Sequence, residues 1–469
     1  MACAWWKSGT AEHGAVFHLA FRRPPFRGGY TVACGLDAAS AWLEALRFSA
    51  EDLAYLATLI GTDGRALFDS GFLGMLRDFA WAGDLDAIPE GTVVFPNEPL
   101  LRVQGPLLHC QLVETALLNF VNFQSLIATK AARICQAARG GPVIEFGLRR
   151  AQGPDGALSA SRAAFIGGCA ATSNVLAGQR FGIPVKGTHA HSWVMSFDDE
   201  RAAFRAYAEA MPHNSIFLVD TYNTLDGVRH AIEAGRMLRA AGSDLAGIRL
   251  DSGDLAWLSQ EARRLLDNAG FPEAVIVASN DLDETTIASL EEQGAAIGVW
   301  GVGTRLVTAF DEPALGGIYK LSALRVPGGE WQHKIKISEV SAKISIPGIQ
   351  QVRRFVGDGR FLGDIIYDTL DGQPQERRAI DPADAVRQKT FPEDAGSEDL
   401  LVPVFRGGRR VYATPPLTEI RERTQQQLAA LHPTVRRFLN PHRYPAGLDP
   451  RLHARREQLI AKAHGAVTH

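Results

Sequence analysis

The sequence predicts an α/β fold centred on parallel β/α units, closed more as a barrel than as an open sheet. Three observations predict it. Apolar residues recur at three- and four-residue spacing through residues 36–139. From Gly140 and Gly141 onward the pattern becomes strand, polar loop, helix, with six strands in succession. Beyond Lys320 the chain turns irregular. Short apolar runs alternating with amphipathic helices mark parallel β/α units.

The chain opens at "MACAWWKSGTAEHG", where two tryptophans sit in a stretch that reads as a helix already under way. Helices come next in "AASAWLEALRF", "EDLAYLATLI", "GFLGMLRDF" and the long "LLHCQLVETALLNFVNFQSLIATKAARICQAA", with strand-like "GTVVFP" and "LLRVQG" between them. The six strands of the repeated region are read at 142–147, 183–187, 215–220, 246–251, 274–279 and 296–301. Helical "ERAAFRAYAEAM", "GVRHAIEAGRMLRAAG", "LAWLSQEARRLLDNAG" and "DETTIASLEEQG" separate the later ones. "VPGGEWQHKIKIS" and "FVGDGRFLGDIIY" read as hairpins. The Arg-rich tail, "TEIRERTQQQLAALH" and "LHARREQLIAKAH", reads as helices whose charge is a solvated face or a subunit contact.

Composition narrows the function classes. A chain of 469 residues is long enough for two or three domains, or one large barrel with additions. Lys plus Arg (49) nearly balances Asp plus Glu (52), so no global field argues for nucleic acid or a membrane surface. The five cysteines, Cys3, Cys34, Cys110, Cys135 and Cys169, are scattered and odd in number, which suits a reducing compartment without a metal cluster. No stretch reaches the length of a membrane span, and the N-terminus has no basic region followed by an apolar core. A cytoplasmic protein is expected.

The chemistry lies at the C-terminal end of each strand. Arg149 and Arg150 come after the first, and Thr188 and His191 after the second. The third ends on Asp220, followed by Thr221, Tyr222 and Asn223. Arg249, Asp251, Ser252 and Asp254 belong to the fourth, Ser279, Asn280 and Asp281 to the fifth, and Gly301, Gly303 and Thr304 to the sixth. In a β/α barrel these ends converge on one face, where active sites lie. The glycines of "GVWGVGT" let backbone N–H groups approach an anion, although a tight turn would use them too. Asp251 and Asp254 can accept sugar hydroxyls or hold Mg²⁺ through water, or they can cap a helix. Arg249, inside an apolar strand, wants a carboxylate or phosphate.

"GIPVKGTHAHSWVMS" presents two histidines. His191 reads as a general base, a metal ligand, a phosphate acceptor or a satisfied structural histidine. His189 and His191 lack a third nearby ligand of the zinc type. An Asp220 on the adjacent strand would make a His–Asp pair. Together these residues describe a pocket for a phosphorylated sugar and an anionic or aromatic partner. A rival enzyme class, a barrel aldolase, would use Lys186 as its Schiff base.

"EFGLRRAQGPDGALSASRAAFIGGCAATSNVLAGQRFGIPVKGTHAHSWV" resembles the nicotinate phosphoribosyltransferase signature, and "LVDTYNTL", "IRLDSGDL", "VASNDLDE", "GVGT" and "GGIYKL" come after it in the family's order. The resemblance runs from "WWKSG" and "FRRPPFRGGYTVACGL" to about residue 325. It implies a type II phosphoribosyltransferase fold, an incomplete β/α barrel with an α/β sandwich domain built from N-terminal and post-barrel segments. The boundaries expected are 1–139 for the N-terminal helical part of the sandwich, 140–325 for the barrel with the active site, and 326–469 for the return segment and helical extension.

The implied reaction joins nicotinate to phosphoribosyl pyrophosphate with Mg²⁺, giving nicotinate mononucleotide and pyrophosphate, and ATP hydrolysis assists through a phosphohistidine. By resemblance, His191 and not His189 is the phosphorylated residue. Phe146 stacks on the pyridine, Arg149 lies beside it, and Thr188 contacts substrate. Arg249 associates with nicotinate, while Asp220 and Asp251 stand on the ribose side. Ser279, Asn280, Gly301, Gly303 and Thr304 form the 5′-phosphate cradle. Thr172, Ser173 and Asn174 are neutral donors suited to a carboxylate, which favours nicotinate over another pyridine base. A homodimer with shared sites is implied. The family also begins with a "TDLYQ"-like stretch whose tyrosine closes the pyridine pocket across the subunit interface, whereas this chain starts at "MACAWWKSG". A misassigned or trimmed start is the favoured reading, and the 469-residue form as written is expected to bind nicotinate weakly; an impaired or inactive truncated form is the alternative.

Overall fold

The computed structural model describes residues 1–340 and 343–467. Leu126–Pro313 form one compact unit, and the chain before and after them forms another.

The central unit is built on a six-stranded parallel sheet. Its order is Ala171–Thr172, Val143–Glu145, Val299–Val302, Val275–Ala278, Gly247–Leu250 and Ile216–Leu218. The two outer strands do not pair with each other, so the barrel stays open, in agreement with the incomplete barrel expected. One strand differs from expectation. The run at 183–187 contributes only an isolated bridge, Val185 to Thr172, and the strand proper lies at Ala171–Thr172. Pro184 has no N–H to donate, and Val185 and Lys186 are exposed, so the run lacks both the ladder and the burial of a central strand.

Phe217, Ile248, Leu250, Ile276, Ala278, Trp300 and Val302 share one buried face of this sheet. The helix Thr224–Ala240 lies directly on the strand that leads to Asp220: a Cβ at Gly227 would collide with the Val219 carbonyl oxygen. The polar richness of the connecting loops is partly capping. Asn223, Asp254 and Asp283 each accept a hydrogen bond from the backbone N–H three residues on, at 3.1, 3.1 and 2.8 Å, and so start the next helices. Asp254 is a cap.

The other unit holds a two-stranded sheet, Thr31–Val32 paired with Val93–Val94, and two large ones. One is antiparallel and seven-stranded, with Gly14–Phe21 between Gly317–Arg325 and Leu101–Pro106. The other, six-stranded, is drawn from 350–448. Strands from both ends of the chain thus share one domain, as the sandwich expectation requires. The opening tryptophans do lie in a helix, Ala2–Lys7, where Trp6 packs on Phe72 at 5.9 Å between ring centroids.

The Arg-rich tail differs from a solvated face. In helix Pro450–Val467, Arg455 binds Asp371 at 2.6 Å and Arg456 is buried, so this charge fastens the helix to its own domain. Among the described residues no helix is long and apolar enough to cross a membrane.

Candidate active site

A cavity of about 200 Å³ opens at the C-terminal ends of the parallel strands, lined by Phe146, Arg149, Ser173, Gly187, Thr188, Ala190, His191, Leu218, Arg249 and Asp251. Seven of these are residues singled out in the sequence. Parallel pairing causes the convergence, because every strand delivers its loop to the same end of the barrel.

Arg249 organises one wall. Its Nε donates to Ser279 Oγ at 2.8 Å, one terminal nitrogen to Thr188 Oγ1 at 3.0 Å, and the other to Asp251 Oδ1 at 2.9 Å. A guanidinium has five N–H donors, so one remains on each terminal nitrogen, a spacing that matches a carboxylate. The guanidinium carbon lies 5.6 Å from the centre of the Phe146 ring. Ser279 also donates to Asp251. Burial pushes the Asp251 carboxyl up, but the Ser279 hydrogen bond and the Arg249 charge outweigh it and hold the group below the usual carboxylate range.

Asp220 stands beneath. Its Oδ2 accepts from the Asp251 N–H at 2.9 Å and the Ser252 hydroxyl at 2.6 Å, while its buried Oδ1 has no hydrogen-bond partner. That unmatched oxygen lies 4.0 Å from Nε2 of His191, and Asp251 Oδ2 lies 3.8 Å from the same nitrogen. His191 Nδ1 is 3.1 Å from Thr221 Oγ1. The side chain is 41% exposed, within reach of a ligand.

The two histidines have opposite environments. His189 is wedged among Phe204, Tyr207 and Phe217, and its Nε2 accepts from the Leu218 N–H at 3.2 Å. Burial lowers its pKa to about 4, so it is a neutral core residue. His191, two residues on, begins the short helix His191–Met195 and faces the cavity.

Gly301 admits the Phe146 ring: a Cβ there would stand 2.8 Å from two ring carbons. At Gly303 a Cβ would stand 3.3 Å from the Phe146 carbonyl oxygen. Asn280, at φ +112°, and Thr304, the first residue of helix Thr304–Val307, lie outside the cavity lining, as do Asp220, Ser279, Gly301 and Gly303.

Two expectations change. Of the neutral donors Thr172, Ser173 and Asn174, only Ser173 lines the cavity. Thr172 donates to buried Glu145 at 2.6 Å, and Asn174 caps helix Val175–Phe181. Lys186 is exposed and outside the lining, so it offers no enclosed amine for a Schiff base. Sequence reasoning misses two residues, Thr221 as the partner of His191, and Glu145. A carboxylate ending the apolar run "PVIEFG" is as anomalous as Arg249, and that is the signal for Glu145.

Family profiles match the chain along most of its length: the nicotinate phosphoribosyltransferase N-terminal domain over residues 1–122, the nicotinate phosphoribosyltransferase family over 142–345, and the C-terminal domain over 349–456. The chain is 43% identical over 456 residues to a nicotinate phosphoribosyltransferase of Bacillus subtilis, covering 96% of this chain and 91% of that one. Its structure is similar to the crystal structure of human nicotinic acid phosphoribosyltransferase, with a TM-score of 0.86 at 34% identity over 98% of each chain. A nicotinate-nucleotide pyrophosphorylase from Pyrococcus furiosus shares the fold, with a TM-score of 0.69 at 24% identity, over 91% of this chain and 92% of that one.

Proposed function

The chain belongs to the nicotinate phosphoribosyltransferase family, and on that premise we propose how its cavity carries out the family reaction, the joining of nicotinate and phosphoribosyl pyrophosphate to give nicotinate mononucleotide and pyrophosphate. The observation that carries the reading is the Arg249 wall. One guanidinium orders Thr188, Ser279 and Asp251 and still keeps two donors.

Nicotinate lies with its ring against Phe146 and its carboxylate on the remaining Arg249 donors, with Arg149 and Ser173 alongside. Asp251, held ionised, and Asp220 face the ribose, where positive charge develops on the ring oxygen and anomeric carbon as pyrophosphate departs. Fixed carboxylates stabilise that charge without reorganising. Ser279, Asn280, Gly301, Gly303 and Thr304 receive the 5′-phosphate. The described residues include no cluster of three or more His, Cys, Asp or Glu side chains arranged to hold a metal unaided. Mg²⁺ nevertheless fits, because it binds through one or two carboxylates plus substrate phosphates and Asp220 offers an unmatched oxygen. Asp220 and Asp251 would hold it, and when bound it would neutralise charge on the departing pyrophosphate.

ATP phosphorylates His191 at Nε2, the nitrogen that faces the two carboxylates. The family resemblance supports a homodimer with shared sites, an active barrel over 140–325 flanked by segments 1–139 and 326–469, and a cytoplasmic setting. The test is formation of nicotinate mononucleotide with and without ATP, nicotinamide serving as the parallel base. ATP-stimulated turnover of nicotinate that His191→Ala abolishes is expected. Preference for nicotinamide would overturn the base assignment, and stimulation surviving in His191→Ala would overturn the phosphohistidine.

A further inference from the structure

Glu145 ends the strand Val143–Glu145 and is fully buried. A carboxylate so placed is costly unless hydrogen bonds replace its water. Three neutral donors do so: the Gly147 N–H on Oε1, and on Oε2 the Ser161 hydroxyl at 2.8 Å and the Thr172 hydroxyl at 2.6 Å. These donors come from three different elements. Gly147 belongs to the loop carrying Phe146 and Arg149, Ser161 to the helix Gly153–Gly167, and Thr172 to the strand that delivers Ser173. The backbone repeats the connection, since the Ser173 N–H donates to the Glu145 carbonyl at 2.9 Å.

We infer that Glu145 is a positioning residue for the pyridine-side wall, setting where Phe146, Arg149 and Ser173 stand relative to one another without touching substrate itself. This inference rests on the assignment of that wall to nicotinate. The geometry separates two walls. Glu145 ties the backbone that carries Phe146, Arg149 and Ser173, whereas on the ribose side Asp220 ties Asp251 and Ser252. Reach decides the function: an aspartate, one methylene shorter, cannot meet Gly147 on one side and the two hydroxyls on the other. Glutamine keeps the reach. Its oxygen can accept from Gly147 and its amide can donate to hydroxyls that rotate to accept.

The experiment measures separate KM values for nicotinate and phosphoribosyl pyrophosphate in the full-length protein. Glu145→Asp is expected to raise the nicotinate KM about 10-fold or more, since sub-ångström to 1 Å displacements of positioning groups cost one to two orders of magnitude. The phosphoribosyl pyrophosphate KM stays near wild type, and Glu145→Gln restores most of the nicotinate affinity. A nicotinate KM unchanged in Glu145→Asp, or both KM values rising together, overturns the inference. If Glu145→Asp does not fold, Thr172→Val reads the same contact from the other side, and an unchanged nicotinate KM there overturns it equally. Phe146→Ala is the control. If it leaves the nicotinate KM unchanged, the wall assignment itself falls; if it raises KM while Glu145→Asp does not, only the role of Glu145 falls.

Discussion

Thr221 Oγ1 lies 3.1 Å from Nδ1 of His191, which leaves Nε2 as the ring nitrogen facing Asp251 and Asp220. A neutral imidazole has one N–H, and a hydroxyl can accept it. With the proton on Nδ1, Nε2 carries the lone pair, 3.8 Å from Asp251 and 4.0 Å from Asp220. Thr221→Val removes that acceptor while keeping the shape. Transfer of acid-labile label from γ-labelled ATP should fall about 10- to 100-fold, the usual cost of a misplaced reacting group. Undiminished labelling would show that Thr221 does not orient the ring.

Arg249→Lys tests the wall. A lysine ammonium is a point charge that cannot hold Thr188, Ser279 and Asp251 together while offering a forked pair to a ligand. Losing the two proposed charge-assisted hydrogen bonds to nicotinate, at about 1.5 kcal/mol or more each, corresponds to a rise in nicotinate KM of about 100-fold. Steady-state kinetics at saturating phosphoribosyl pyrophosphate measures it. A rise of less than about 5-fold would move the nicotinate carboxylate away from Arg249.

Much of the site was legible because parallel β/α units announce themselves twice, as apolar runs and as polar loops at their ends. Phe146, Arg149, Thr188, His191, Arg249 and Asp251 each follow or end such a run, and all line one cavity. The histidine pair was harder. Alternation alone could not say which of His189 and His191 entered the core; Phe204, Tyr207 and Phe217, distant in sequence, decide it. The strand at Ala171–Thr172 escapes sequence reasoning because two residues carry no periodicity, and the more apolar run at 183–187 draws the assignment. Thr172 and Asn174 have the chemistry of ligand donors, but Glu145 and a helix N-terminus engage them. Which hydroxyl faces a ligand and which faces a buried carboxylate is a tertiary fact.

Gly301→Ala is a steric test of the ring pocket. The added methyl would meet two Phe146 ring carbons at 2.8 Å and Ser279 Cβ at 3.4 Å, so the ring must move outward into the space proposed for nicotinate. Overpacking of this kind costs about 1–3 kcal/mol. The nicotinate KM should rise about 10-fold with a small loss of Tm. If Tm falls and KM does not, the ring is not part of the base site.

His189 makes stability depend on pH in a definite direction. Burial among three aromatic rings lowers its folded pKa from 6.5 to about 4. Below pH 6.5 the unfolded chain therefore takes up a proton that the folded chain resists. Stability is complete above pH 6.5 and is lost progressively as pH falls from 6.5 towards 4. The loss attributable to this residue is on the order of 3 kcal/mol, from the shift in pKa. His18 is also buried, with its pKa lowered the same way, so acid lability has more than one source. The comparison is therefore differential. His189→Gln keeps an acceptor for the Leu218 N–H but cannot titrate, so its Tm should fall less steeply than wild type between pH 6.5 and 4. Parallel curves for the two proteins would show that His189 takes no part in the acid lability.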